Sequence, residues 1–345
     1  MRTEAMVMER HGGPEVLERR EIDVGELGPR DVLVRVRAVA LNHLDLWVRR
    51  GGPAFKLAFP HRLGSDVAGE IEAVGADVRH VAVGARVMLQ PGRSCGCCAA
   101  CLGGRDNLCR SYKILGENAP GGSARHLVVP ETEVVPFGAG LGFVEAAALP
   151  LCTLTAWQMA YRKAAVRPGA RVLVNAAGSG VSSLLIQLCK IAGAEVIAST
   201  SDPDKAERAR ALGADHVVVT RDVDLATEVK RLTGKVGVDV AFDHVGGTLF
   251  EKTLAAVRWG GKLVTCGATA GFEPRIDLRS IFFRQVEIKG STMGQKSDLW
   301  EALPLVLAGR LRPVVDRVLP LWETRAAHEA LEGRKVFGKI VLTVD

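Results

Sequence analysis

From Ala170 onward the chain alternates between short apolar segments and helical ones, and few folds accept that alternation. The apolar segments are RVLVN (171–175), AEVIAST (194–200), DHVVVT (215–220), VDVAFD (238–243), KLVTCG (262–267) and VEIKG (286–290). Between them run a Gly-rich turn leading into an apolar helix through Ile191, a helix from Pro203 to Leu212, and a helix to about Trp259. Continuous apolar runs of this length suit strands covered on both faces, and parallel strands need a crossover long enough to hold a helix. The pattern therefore predicts an α/β fold with a doubly wound parallel sheet of the Rossmann type.

The first strand opens into Ala176-Ala177-Gly178-Ser179-Gly180-Val181-Ser182 at the start of a helix. Backbone N–H groups and the helix dipole there can hold a pyrophosphate, which makes Gly178, Ser179, Gly180 and Val181 candidate dinucleotide contacts. The second strand ends Ser199-Thr200-Ser201, without the acid that usually binds a ribose 2′-OH in NAD-preferring folds. Neutral hydroxyls at Thr200 and Ser201 do not repel a 2′-phosphate, and Lys205 stands one turn further on. The sequence thus favours NADP(H) over NAD(H), while Asp202 keeps NAD(H) open; Ser201 and Asp202 also read as helix caps before Pro203.

Five of the eight cysteines fall between Cys95 and Cys109. Cys95, Cys98, Cys101 and Cys109 form C-x2-C-x2-C-x7-C, a spacing that closes a tetrahedral thiolate shell around one zinc per chain, in a lobe of about residues 91–111. Cys97 is the spare. Four protein ligands leave no open position, so this zinc is structural, and Arg93, Arg105 and Arg110 are placed to offset its negative charge.

No apolar run is long enough to cross a bilayer, and MRTEAMVMERHGG has no signal-peptide core, which argues for a cytoplasmic protein that neither spans nor enters a membrane. The net charge is +6, but its 45 basic and 39 acidic residues are interleaved, with no basic run flanked by aromatics. Nucleic acid is therefore not the expected partner.

Taken together, ALNHLDLWVRRG, LGSDVAGEIEAVG, GCCAACLGGRDNLC, GGSARHLVVP, LTAW, AAGSGVS and FGKIVL resemble the medium-chain dehydrogenase/reductase superfamily, which includes zinc alcohol dehydrogenases and quinone reductases. The resemblance implies a GroES-like, mostly-β catalytic domain (1–150), a Rossmann domain (151–291) and a return segment (292–345), with the active site in the cleft and a homodimer or homotetramer as the assembly. It implies that Thr155, Gly267, Ala268, Ser291 and Thr292 contact the nicotinamide half, that His43 and Lys339 approach the pyrophosphate, and that Asp243 and His244 lie near the adenosine, where His244 reads equally as a satisfied loop histidine.

Family alcohol dehydrogenases hold a catalytic zinc through a C-x-x-D segment, a G-H-E segment and a later Cys. Here those segments read Asn42-His43-Leu44-Asp45 and Gly64-Ser65-Asp66, so that only Cys152 remains at an expected ligand position. Asn and Ser are poor substitutes for Cys and His. Without a Lewis acid, reduction of a plain ketone to an alkoxide (pKa near 16) is hard. Reduction of a quinone or enone produces an anion nearer pKa 10, a difference of about 8 kcal/mol. The sequence thus points to hydride transfer from the cofactor to a small-molecule quinone or conjugated enone. Asn42 would donate to the developing oxyanion, Asp45 would orient the site, and Asp66 would be a proton donor or a structural acid paired with Arg62. The alternatives are a conventional zinc alcohol dehydrogenase and a non-enzymatic NADP(H)-binding protein.

Overall fold

A computed structural model describes residues 1–53 and 55–345. The chain divides into two compact units, Met1–Cys152 with Gln295–Leu307 and Arg312–Asp345, and Thr153–Gly294 with Ala308–Leu311. The divisions fall at 152/153 and 294/295, where the sequence suggested 150/151 and 291/292.

In the first unit β1 (Arg2–Met8) and β2 (Leu17–Asp23) form an antiparallel ribbon. The principal sheet begins with β3 (Asp31–Ala40), whose alternating VLVRV pattern turns Val32, Val34 and Val36 into the core. After helix α1 (His43–Arg50) come β4 (Asp66–Val74) and β5 (Arg86–Leu89). The short β6 (Gly92–Arg93) and β7 (Lys113–Ile114) then pair to close the base of the cysteine lobe. β8 (His126–Pro130) and β9 (Val134–Pro136) complete the N-terminal portion.

The second unit is a six-stranded, wholly parallel sheet of β10 (Arg171–Val174), β11 (Glu195–Thr200), β12 (His216–Val219), β13 (Val238–Asp243), β14 (Val257–Thr265) and β15 (Glu287–Gly290). Its order is β12-β11-β10-β13-β14-β15, the doubly wound arrangement in which strand order reverses beside β10. Leu173, Ile197, Val218, Ala241 and Leu263 form its central buried row. The helix expected to reach Trp259 ends at Ala256, because β14 begins at Val257. Val257 pairs with Val238 before a register shift, and Gly260, at φ +66°, lies within that irregular stretch. The helix expected from Pro203 opens as a 3-10 turn, Pro203–Lys205, before Ala206–Ala211.

The chain returns to the first unit with β16 (Val315–Pro320) and β17 (Lys339–Thr343), giving the order β16-β17-β3-β4-β5-β9, with β8 also on β3. No helix among the described residues is long and apolar enough to cross a membrane.

Candidate active site and cysteine lobe

Three adjacent strands deliver three polar residues to one point. β3 ends at Ala40, which pairs with Asp66 at the start of β4. On the other side the Leu41 N–H donates to the Ile340 carbonyl (2.9 Å), so Lys339 opens β17 beside Asn42. Lys339 Nζ donates to Asn42 Oδ1 (2.6 Å) and to Asp66 Oδ2 (2.8 Å), and Asn42 Nδ2 donates to the same Asp66 oxygen (2.9 Å). Asp66 Oδ1 accepts the Leu151 N–H (2.7 Å), and the Cys152 thiol points to Asn42 Oδ1 at 3.6 Å. All four side chains are buried, Asp66 completely and Lys339 to 4% exposure.

Burial would strip Lys339 of its charge, but Asp66 and Cys152 offset it and the net displacement of its pKa is upward. Burial pushes the Cys152 thiol up to about 11 despite the nearby ammonium. Because an ammonium is donor-only, the Asn42 atom facing it must be oxygen, which fixes the amide orientation and turns Nδ2 to Asp66.

Asp45, in the first turn of α1, has a different task. Its Oδ2 accepts the Asn42 N–H (2.7 Å) and its Oδ1 the Gly64 N–H (3.0 Å), tying the helix start to the segment before Asp66. Burial pushes its carboxyl up to about 6, against the pull of those two N–H groups. Gly64 sits at φ +96°, and a Cβ there would come within 2.8 Å of both Ser123 Oγ and Val39 Cγ1. Ser65 is fully buried with no hydrogen-bond partner for its hydroxyl.

One sequence expectation changes. The cation paired with Asp66 is Lys339, not Arg62; the Arg62 guanidinium is buried, its Nη1 is unpartnered, and burial pushes it down to about 10. The Lys339 ammonium, for which the family resemblance implies an approach to the pyrophosphate, donates to Asn42 and Asp66. His43 is exposed at the start of α1.

In the second unit, Ser179 caps the helix Gly180–Ile191 by accepting the Ser182 N–H (3.0 Å). Among the described residues the N–H groups of Gly180 and Val181 have no acceptor, so the turn fits an anionic pyrophosphate. His244 Nε2 lies 3.0 Å from both Ser179 Oγ and Ser182 Oγ. Sequence reasoning missed Asn175, whose Nδ2 donates to Asp243 Oδ1 (3.0 Å) and whose Oδ1 accepts from Ser199 (2.8 Å), stitching three strands beneath the turn. Asp243 is fully buried, its other oxygen accepting the Gly246 N–H (2.9 Å). At the end of β11, Thr200 is buried and Ser201 exposed, and Asp202 Oδ1 caps the Asp204 N–H (3.1 Å), with Lys205 half-buried beyond it. Thr155 and Ser291 are buried, the Ser291 hydroxyl is unpartnered, Thr292 is exposed, and Gly267 and Ala268 follow β14.

The sulfurs of Cys95, Cys98, Cys101 and Cys109 all lie within 4.8 Å of one another. The distances Cys98–Cys101 and Cys95–Cys109 are 3.5 Å, and Cys95–Cys101 is 3.9 Å. A zinc tetrahedron with Zn–S near 2.3 Å has edges of about 3.8 Å, so the set fits one zinc and leaves Cys97 outside it. The N–H groups of Cys97 and Cys98 draw the Cys95 thiol down to about 6. Of the flanking arginines, Arg93 turns to Glu133 (2.5 and 3.0 Å) instead of to the sulfurs.

Two family models match the chain: an alcohol dehydrogenase GroES-like domain over residues 28–139 and a zinc-binding dehydrogenase over 180–308. An NAD-dependent alcohol dehydrogenase of Saccharolobus solfataricus is 31% identical over 338 residues, covering 94% of this chain and 96% of that protein. A quinone oxidoreductase of Pseudomonas aeruginosa is 32% identical, covering 96% and 97%. A crystal structure described as an NAD-dependent alcohol dehydrogenase is 49% identical, superposes with a TM-score of 0.96, and covers 99% of this chain and 100% of its own.

Proposed function

The chain belongs to the medium-chain dehydrogenase/reductase superfamily and is a nicotinamide-dependent oxidoreductase of its zinc-type alcohol dehydrogenase-like branch; within it, we propose that this member reduces a quinone or conjugated enone without a catalytic metal. The observation that carries this reading is the Asn42–Asp66–Lys339 cluster. Where the family resemblance implies a catalytic zinc, the residues offer one amide oxygen, one carboxylate and one thiol, with an ammonium already bonded to the two oxygens. That donor set does not fit a catalytic zinc, which takes three deprotonated or neutral nitrogen, sulfur or oxygen ligands and an open position.

The nicotinamide, when bound, supplies a hydride. The protein's part is to bind and stabilise the oxygen that gains charge. Asn42 Nδ2 has two hydrogens, and Asp66 takes one. The other is the donor to the enolate or phenolate oxygen, and the α-carbon of an enone is then protonated from solvent. An anion nearer pKa 10 than 16 requires about 8 kcal/mol less stabilisation, which brings it within reach of preorganised hydrogen bonds. Asp45 keeps Asn42 and the Gly64–Asp66 segment in register.

NADP(H) is the preferred cofactor in this reading. β11 ends in Ser199-Thr200-Ser201, and Asp202 spends a carboxylate oxygen on the Asp204 N–H. The Gly-rich turn holds the pyrophosphate. The cysteine lobe carries one structural zinc.

We further propose a homo-oligomer built through an open edge of the parallel sheet. Of its two edges, β12 and β15, we choose β15, three of whose four residues are exposed, including Ile288. Trp259, Phe272, Leu278, Phe282 and Phe283, from the same stretch of chain, are also exposed. An exposed edge strand, with exposed aromatics in the chain leading to it, is a template for a second copy.

The direct test compares NADPH and NADH oxidation with a quinone, an enone and a simple aldehyde, with and without added zinc. Enone or quinone turnover that ignores zinc, with kcat/KM higher for NADPH, is the expected outcome. Dominant aldehyde reduction that depends on zinc would reverse the reading. Tight NADPH binding with no carbonyl turned over would favour a binding protein.

A further inference from the structure

Resting on the metal-free reading above, we propose that Lys339 is the resident cation of the site: its ammonium holds the place of a metal ion, and it sets the amide of Asn42 to donate toward the substrate oxygen. Three features support this. Lys339 Nζ already contacts both oxygens that a metal would use, at 2.6 and 2.8 Å. A metal bound to the same atoms at about 2.0–2.2 Å would lie at most about 5 Å from the ammonium, two cations sharing one carboxylate in a buried pocket. The Lys339 backbone is also fixed, its N–H donating to the Val314 carbonyl (2.8 Å) as β17 begins.

The same contacts make Lys339 a positioning residue. With Oδ1 of Asn42 committed to the ammonium, the amide cannot turn over and present its oxygen to the substrate, an orientation that would repel a developing anion. One fixed positive charge near that oxygen also suits an enolate or phenolate, which needs less help than an alkoxide. The competing role is the pyrophosphate contact that the family resemblance implies, which would require Nζ to leave both partners.

The test is kinetic and uses the full chain with its cysteine-lobe zinc, on whichever carbonyl substrate the unmodified protein turns over best. Lys339→Met removes the charge and keeps most of the bulk. The expected result is a fall in kcat of about a hundredfold, the scale of losing one oxyanion donor, with the KM for NADPH within about threefold of its original value. Unchanged kcat, or a tenfold or greater rise in the KM for NADPH with kcat retained, overturns the proposal.

Should that variant not fold, the unmodified protein still decides. It is equilibrated with excess cobalt(II), and its metals are counted and located by anomalous scattering. One metal per chain, in the cysteine lobe, supports the proposal. A second beside Asn42, Asp66 and Cys152, with a thiolate-to-cobalt absorption lost in Cys152→Ser, overturns it. If the unmodified protein reduces an aldehyde and no enone or quinone, the reading of the reaction fails, while the Lys339→Met comparison still judges this proposal.

Discussion

Asn42 and Asp45 stand three residues apart at one helix start, yet the fold gives them different tasks: the Asn42 amide bonds to the charged side chains of Asp66 and Lys339, while the Asp45 carboxyl accepts the backbone N–H groups of Asn42 and Gly64. That difference has a pH signature. The Asp45 carboxyl titrates near 6 in the folded chain, above its ordinary value of 3.8, so folding favours its protonated form. The resulting stabilisation is complete below the ordinary value and is lost as pH rises through 6. Between pH 5 and pH 8 it amounts to a loss of about 1 kcal/mol. Urea unfolding of the unmodified chain and of Asp45→Asn at both pH values checks this: the pH-dependent loss should be smaller in the variant by that amount, and equal losses would show that Asp45 does not titrate in this window. At this scale the sequence was a partial guide. The departures at Asn42, Ser65 and Asp66 could be read directly. The partner of Asp66 could not, because Lys339 is 273 residues away and reaches it only through the pairing of β17 with β3 and of β3 with β4. Proximity along the chain suggested Arg62 instead.

Elements were easier to read than contacts. Each of the six apolar segments of the second unit became a strand of one parallel sheet, because continuous apolar runs have no other place to go once helices cover both faces. The end of the helix before β14 was misplaced by three residues, since nothing local marks where Ala256 gives way to an extended Val257. The cysteine spacing was legible for a stricter reason: four thiolates must reach one point, and the sulfurs do converge. This lobe yields a prediction of its own. Cys98→Ser should lose the zinc and lower the thermal midpoint by roughly 10 °C, because metal affinity in such a site is folding free energy. Turnover per folded molecule below that midpoint should stay close to the original, as a four-ligand zinc has no open position for substrate. Metal analysis, calorimetry and initial rates on one preparation check all three. A large loss of kcat in protein that remains folded would give the lobe a role beyond support.

For the molecule as a whole, β15 is one of the two edges of the parallel sheet, and Phe272, Phe282 and Phe283, from the stretch of chain before it, are exposed. Light scattering should find a dimer or tetramer, and Ile288→Lys combined with Phe283→Glu should shift it to monomer while leaving the far-ultraviolet circular dichroism unchanged. A monomeric unmodified chain would remove the proposed interface. The reaction itself is tested most directly by giving the zinc-loaded, full-length enzyme one enone, which offers a β-carbon and a carbonyl carbon in competition, together with nicotinamide cofactor deuterated at the transferring position. The expected product is a saturated ketone with deuterium on the β-carbon, formed at the same rate after chelation of loosely bound metal. An allylic alcohol with deuterium on the carbinol carbon, formed only when zinc is supplied, would contradict the metal-free reading.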